Sequence, residues 1–223
     1  VLEVTDVVRI LRSCTPCAVA LLVFVPTAAR ALPVLSEVFY DAVGSDDGLS
    51  FVELYGEPGS SLVGLVVEGV NGANGAIGPS LTLSGTIPAD GIFVVADLLG
   101  AGGTLVPGAD LGLDFDFQNG PDSVVLRNGA TVLDALAYGE FAPGEVSAGE
   151  GAPAVDPAAG ASLARRFADL DTDDNASDFV ALAAPTPGSA PLQAVPQPAS
   201  GLLLGVGLAA LAAARSRCPG GAT

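Results

Sequence analysis

Asp122-Ser-Val-Val-Leu-Arg-Asn-Gly-Ala-Thr-Val-Leu-Asp-Ala-Leu-Ala-Tyr138 carries the plainest folding instruction in the chain. Two apolar runs flank Asn128-Gly129, and an Asn-Gly pair tolerates the positive φ that a type I′ turn requires at both central positions. The stretch reads as a β-hairpin. On its N-terminal side, LGLDFDF (111–117) alternates strictly. Leu111, Leu113, Phe115 and Phe117 fall on one face and Gly112, Asp114 and Asp116 on the other, as in a half-solvated antiparallel strand. GIFVVAD (91–97) reads as a strand buried on both faces. VLSEVFY (34–40), SFVELY (50–55), SLVGLVVEGV (61–70) and a weaker run at 80–87 complete the set, separated by GSDDG (44–48) and a Gly/Asn loop at 71–78. On the C-terminal side, residues 139–160 form a Gly/Ala/Pro/Glu-rich loop with little to bury. GASLARRFADLDTDDNASDFVALAAPTPG (160–188) follows: a short apolar strand, an Asp/Asn cluster, a second apolar strand and a Pro-Gly stop. Many strands, regular turn signals and no convincing amphipathic helix predict an all-β fold, a two-sheet antiparallel β-sandwich in preference to a barrel.

Composition bounds the function. The chain has 223 residues, enough for one domain of ordinary size, and its 29 glycines and 17 prolines favour turns over long helices. It holds no Lys, His, Trp or Met, so all eight basic residues are Arg. Between Leu32 and Ala194 there are 23 Asp and Glu against three arginines, a balance of −20. Nucleic acid is excluded as a partner, because phosphate backbones demand a basic footprint. A His-based triad, a Lys Schiff base and a G-x-S-x-G elbow are all missing, so no catalytic residue is assigned. Cys14, Cys17 and Cys218 lie outside the predicted domain and supply no disulfide framework within it.

The termini carry address signals. Arg9 and Arg12 precede an apolar run at 17–25, and Ala29-Arg30-Ala31 supplies an A-x-A site, so residues 1–31 read as a signal peptide for a signal peptidase, cut to leave Leu32. After the domain at 32–190 come a linker and Pro-x-Pro motif (191–198), an apolar anchor helix with an Arg-rich end (199–217) and a short tail (218–223). The apolar run of that helix is short for a bilayer span of about 20 residues, and the arginines orient its end towards the cytoplasm.

Two resemblances sharpen this reading. LSEVFYD (35–41), FVELYGEPG (51–59) and the following LVGLVV resemble the opening of a lamin-tail domain, and DTDDNASDF with PTPG resembles its close. The resemblance implies an immunoglobulin-like β-sandwich and, for bacterial members, an exported non-catalytic module at membranes or surfaces. Val195-Pro196-Gln197-Pro198, the apolar run and Arg215-Ser-Arg217 resemble a PEP-CTERM sorting signal. That implies an exosortase-like processing enzyme as a partner, a membrane contact through the C-terminal helix, and a place at the cell surface, anchored or released. The expected function is a structural or interaction module of the surface, envelope or extracellular matrix, with a protein or polysaccharide partner. Two alternatives stand beside it: a Ca²⁺-dependent adhesive or ligand-binding domain, and a hydrolase.

The candidate site residues fall in two groups. Asp169, Asp171, Asp173, Asp174, Asn175 and Asp178 place six oxygen-bearing side chains in ten residues. They read either as ligands of a Ca²⁺ ion or as a turn whose side chains cap backbone N–H groups. The second group comes from charges on apolar faces. Alternation puts Glu37 with Leu35 and Phe39, Glu53 with Phe51 and Tyr55, and Arg165 with Leu163 and Phe167. Buried charges need partners, so Arg165 is expected to pair with Glu53, or else with Glu37, tying the closing strand to the opening hairpin.

Overall fold

The computed structural model describes residues 32–193. Ten strands and one helical turn follow in order: β1 (Val34–Phe39), β2 (Phe51–Tyr55), β3 (Leu65–Asn71), β4 (Ile77–Thr82), β5 (Ile92–Asp97), β6 (Leu111–Leu113), β7 (Asp122–Asn128), β8 (Thr131–Tyr138), β9 (Ser162–Arg165), α1 (Asn175–Asp178) and β10 (Phe179–Leu182). They build a six-stranded sheet, β10-β9-β1-β2-β5-β6, and a four-stranded sheet, β4-β3-β7-β8. One buried cluster draws Leu35, Val38, Val52 and Phe93 from the first sheet and Val67, Val124, Leu126 and Leu136 from the second. Strands shed alternate side chains to opposite faces, so a core fed by both sheets makes the molecule a two-sheet sandwich.

The hairpin forms, but its turn sits one residue later than expected: β7 ends at Asn128, which pairs with Thr131, so the two-residue loop is Gly129-Ala130. Positive φ occurs at Gly129 (57) and not at Asn128 or Ala130, which matches a type II′ turn with Gly at its first central position rather than type I′. β7 and β8 run antiparallel from Asp122↔Tyr138 to Asn128↔Thr131. β5 is buried along its whole length. Its inner face meets the four-stranded sheet, and its outer face lies under a second cluster of Phe39, Phe51, Ile92, Val94, Ala96 and Val106.

Three further expectations need correction. LGLDFDF is not an antiparallel strand: β6 ends at Leu113 and runs parallel to β5. The ladder stops because the Phe115 N–H donates to the buried Asp97 carboxylate at 3.0 Å instead of to a strand. The weak run at 80–87 is displaced to Ile77–Thr82, an edge strand where Pro79 withholds no needed hydrogen bond, and Gly85 at φ 95 turns the chain away. The 139–160 loop is no idle connection. It packs Ala148 against Val70, Val125 and Ala135, and the Ala148 N–H donates to Ser123 Oγ at 3.1 Å.

Position 36 decides which way each half of β1 faces. β1 and β2 pair Leu35 with Leu54 and then Glu37 with Glu53, leaving Ser36 as an extra residue in a β-bulge. The bulge flips the face on which later residues of β1 point. Leu35 and Val38 therefore enter the core, while Glu37 and Phe39 face outward.

Candidate functional site

β9 lies between β1 and β10, and its alternation turns Leu163 and Arg165 towards the space between the sheets. Arg165 is 2% exposed. Its Nη2 donates to both oxygens of Asp134 at 2.9 Å, and its Nη1 donates to Asp178 Oδ2 at 3.1 Å, Asp171 Oδ1 at 3.2 Å and the Leu170 carbonyl at 3.1 Å. Nε donates to the Leu35 carbonyl at 3.0 Å, and the guanidinium carbon sits 4.6 Å from the Phe179 ring centre. Burial would lower the Arg165 pKa, but Asp134, Asp171 and Asp178 overcome it and push it up. Asp134 is raised by its own burial, against the pull of Arg165 and the Leu35 N–H. A planar five-donor fork is the one side chain that satisfies so many acceptors at once.

The expected pairing of Arg165 with Glu53 or Glu37 is therefore wrong. Both glutamates point to the opposite face of the six-stranded sheet, Glu53 by simple alternation and Glu37 because of the bulge. Their partners lie in the segment after β10. Thr186 donates to Glu37 through its N–H at 2.9 Å and its hydroxyl at 2.7 Å, and the Gly188 N–H donates to Glu53 at 2.7 Å. Ser162 Oγ also donates to Glu37, and Ser36 Oγ donates to Glu53 at 2.6 Å. Burial pushes the Glu53 carboxyl up, with Ser36 and the Gly188 N–H acting against it.

The Asp/Asn run does not converge on one point. Five of its six members each accept a main-chain N–H: Asp169 from Gln193, Asp171 from Asp173, Asp174 from Ala152, Asn175 from Ala137 and Glu150, and Asp178 from Thr172. Asp173 is the one non-glycine residue with positive φ among the described residues. Only Asp171 of the run joins a close carboxylate group, with Asp134 and Glu150, whose oxygens lie within 4.8 Å of one another. Glu150 Oε2 is buried without a hydrogen bond. Burial, then the charges of Asp134, Asp171 and Asp173, push Glu150 up to about 8. These three carboxylates are within reach of a hard cation, yet Asp134 and Asp171 already embrace the Arg165 guanidinium.

The sequence reading missed Asp134, Glu150 and Thr186. Asp134 was within reach, since it alternates with Leu136 and Tyr138 on a core-facing strand and so shows the same signal that singled out Glu37. Glu150 and Thr186 sit in loops with no periodicity to read. Ala29, Ala31, Val195, Pro196, Gln197, Pro198, Arg215 and Arg217 lie outside the described residues. Among the described residues no helix is long and apolar enough to cross a membrane.

Residues 194–217 match the PEP-CTERM protein-sorting motif. No curated protein and no solved structure matches the chain. The motif marks an exported protein that is sorted by exosortase-type machinery and associated with the cell surface.

Proposed function

We propose that residues 32–190 are a lamin-tail-like, immunoglobulin-like sandwich serving as a non-enzymatic structural or interaction module of the cell surface or extracellular matrix. The observation that carries this reading is the sorting motif at 194–217, directly behind a two-sheet β domain. The engagement of the domain's buried polar groups supports the non-enzymatic part. Arg165, Asp134, Asp178, Glu37, Glu53 and Asn175 are each tied to other groups of the fold. They read as structural staples. The lamin-tail likeness rests on the motifs at 35–59 and 171–188, which span β1, β2, α1, β10 and the segment that follows it.

Localisation tests the reading. Cells producing the full chain are separated into cytoplasm, envelope and medium, alongside a variant truncated after Gln193. The full chain is expected in the envelope or medium, and the truncated form is expected to lose envelope retention. A full chain that stayed cytoplasmic would refute the proposal.

One observation favours a second reading, cation-dependent adhesion: the unpartnered Glu150 Oε2 beside Asp134 and Asp171. The guanidinium already between two of those carboxylates weighs against it.

A further inference from the structure

The chain does not leave the sandwich when β10 ends at Leu182. Pro185 and Pro187 line an apolar groove of about 400 Å³ beside Phe39 and Phe51. Between and beyond these prolines, Thr186 and Gly188 bond to Glu37 and Glu53, the glutamates paired across β1 and β2. Farther on, Ala190 packs on the outer apolar cluster, the Ala168 N–H donates to the Pro191 carbonyl at 2.8 Å, and the Gln193 N–H donates to Asp169 at 2.7 Å. Residues 185–193 thus form a strap across the outer face of the six-stranded sheet. The carboxylates that hold it are buried, at 1% and 0% exposure, while Thr186, Gly188, Ser189, Leu192 and Gln193 are exposed or half-buried. The strap is held by these hydrogen bonds and by the half-buried Pro185, Pro187 and Ala190, with no fully buried side chain of its own. Such a segment opens locally at a small fraction of the cost of unfolding the sheet.

Its position in the chain gives it a consequence. The sorting motif begins at 194, the residue after the last bonded amide. With the strap seated, the chain enters the motif directly from the Gln193 amide, which is bonded to Asp169, with no slack between the two. A processing enzyme grips its substrate as extended backbone on both sides of the bond it cuts, and on the upstream side that backbone is already taken by Ala168 and Asp169. Peeling the strap back to Ala183 frees 11 residues, roughly 36–40 Å of reach.

Resting on the reading of 194–217 as a sorting signal, we propose that the strap is a releasable latch that withholds the motif from its processing enzyme while Glu37 and Glu53 hold Thr186 and Gly188. Trimming breaks one peptide bond near the motif; the new amine takes a proton and the carbonyl carbon passes to water or another nucleophile. The latch governs access to that bond and takes no part in the step. Glu37 and Glu53 are positioning residues.

The test uses the full chain with Thr186→Ala, which removes a hydroxyl donor from Glu37, and separately Gly188→Pro, which removes the amide donor to Glu53 at a φ of 81 that proline cannot adopt. Strap opening is read on the purified chain by protease nicking within 183–193. Trimming is read by mass in a host that carries an exosortase-type enzyme and in one that lacks it. Losing one hydrogen bond to a buried carboxylate is expected to raise strap opening about tenfold, with a parallel rise in the initial trimming rate and an unchanged melting temperature for the sandwich. If both variants loosen the strap and trimming keeps the wild-type rate, the latch is refuted and the sorting reading stands. If neither variant changes nicking, Glu37 and Glu53 do not hold the strap and the proposal fails. Pro196→Ala with Pro198→Ala separates the remaining case: a wild-type chain left untrimmed, and indistinguishable from this variant, overturns the sorting reading and the latch together.

Discussion

Buried carboxylates in this protein are neutralised mainly by main-chain amides. Asp97 accepts the Gly48 and Phe115 N–H groups, Asp122 that of Gly72, Asp134 that of Leu35, Asp178 that of Thr172, Glu37 that of Thr186 and Glu53 that of Gly188. Of these six, only Asp134 and Asp178 also touch Arg165. Three arginines cannot serve 23 acids, so each carboxylate staples a loop to a strand instead. Where a cation is used, its removal is severe. Arg165→Ala is expected to cost about 3–5 kcal/mol in urea unfolding, because it strands buried charges. A double-mutant cycle should show coupling of more than about 1 kcal/mol for Arg165 with Asp134 and none for Arg165 with Glu53; coupling to Glu53 would overturn the assignment. Glu150 behaves differently. Its pKa is ordinary, near 4.5, in the unfolded chain and about 8 in the fold, where Asp134, Asp171, Asp173 and Arg165 face it. Between those values the folded state binds more protons, so stability falls as pH rises through that window. Glu150→Gln should flatten the decline and add about 1 kcal/mol at a pH of about 9, a figure discounted for its partial exposure; an unchanged pH profile would contradict the shift.

At the scale of the element, glycine positions separate what local sequence controls from what tertiary packing controls. Gly129 occupies the hairpin turn at φ 57 with open space around it. Gly129→Ala should therefore cost only the backbone strain, about 1 kcal/mol, read as a shift in the urea midpoint. Gly149 has an ordinary φ, yet a Cβ there would run into the Ala137 backbone and Asn175 Oδ1. Gly149→Ala should cost about 3 kcal/mol or more, by breaking the Asn175 bridge between β8 and the 139–160 loop. The first glycine is legible in the sequence and the second is not. The same division runs through the fold. Periodicity and turn chemistry act over a few residues, so the hairpin, the fully buried β5 and the opening and closing strands could be read directly. The bulge at Ser36, the parallel course of β6 and the strap at 185–193 depend on partners far along the chain. A single bulge was enough to misplace Leu35 relative to Glu37, whereas Glu53 alternates with Phe51 and Tyr55 as read, and only the packing of the second sheet decides that this face lies opposite to Arg165.

For the whole molecule, the balance of −20 between Leu32 and Ala194 complicates any test for a bound cation. A polyanionic surface repels itself, and any salt relieves that repulsion without occupying a site. Divalent ions do so more strongly, so a rise in melting temperature on adding Ca²⁺ is by itself uninformative. A site between Asp134, Glu150 and Asp171 would differ from screening in selectivity and saturation. Ca²⁺ accepts irregular oxygen cages, whereas Mg²⁺ insists on near-octahedral geometry and keeps its water, so a built Ca²⁺ site discriminates between them and a diffuse field does not. Saturation would follow the linkage relation, with stability growing as the logarithm of free ion above the dissociation constant. Arg165 already presents its guanidinium to Asp134 and Asp171, and a divalent ion would have to share them with it. The expected result for the full chain at matched ionic strength is that Ca²⁺, Mg²⁺ and chelator with NaCl give melting temperatures within about 1 °C of one another. A Ca²⁺-specific rise of several degrees, abolished by Glu150→Gln, would instead show a resident ion and make the surface module a cation-dependent one. The Glu150 variant decides the matter, because it removes one carboxylate from the cluster and leaves the Arg165 pairs with Asp134, Asp171 and Asp178 in place.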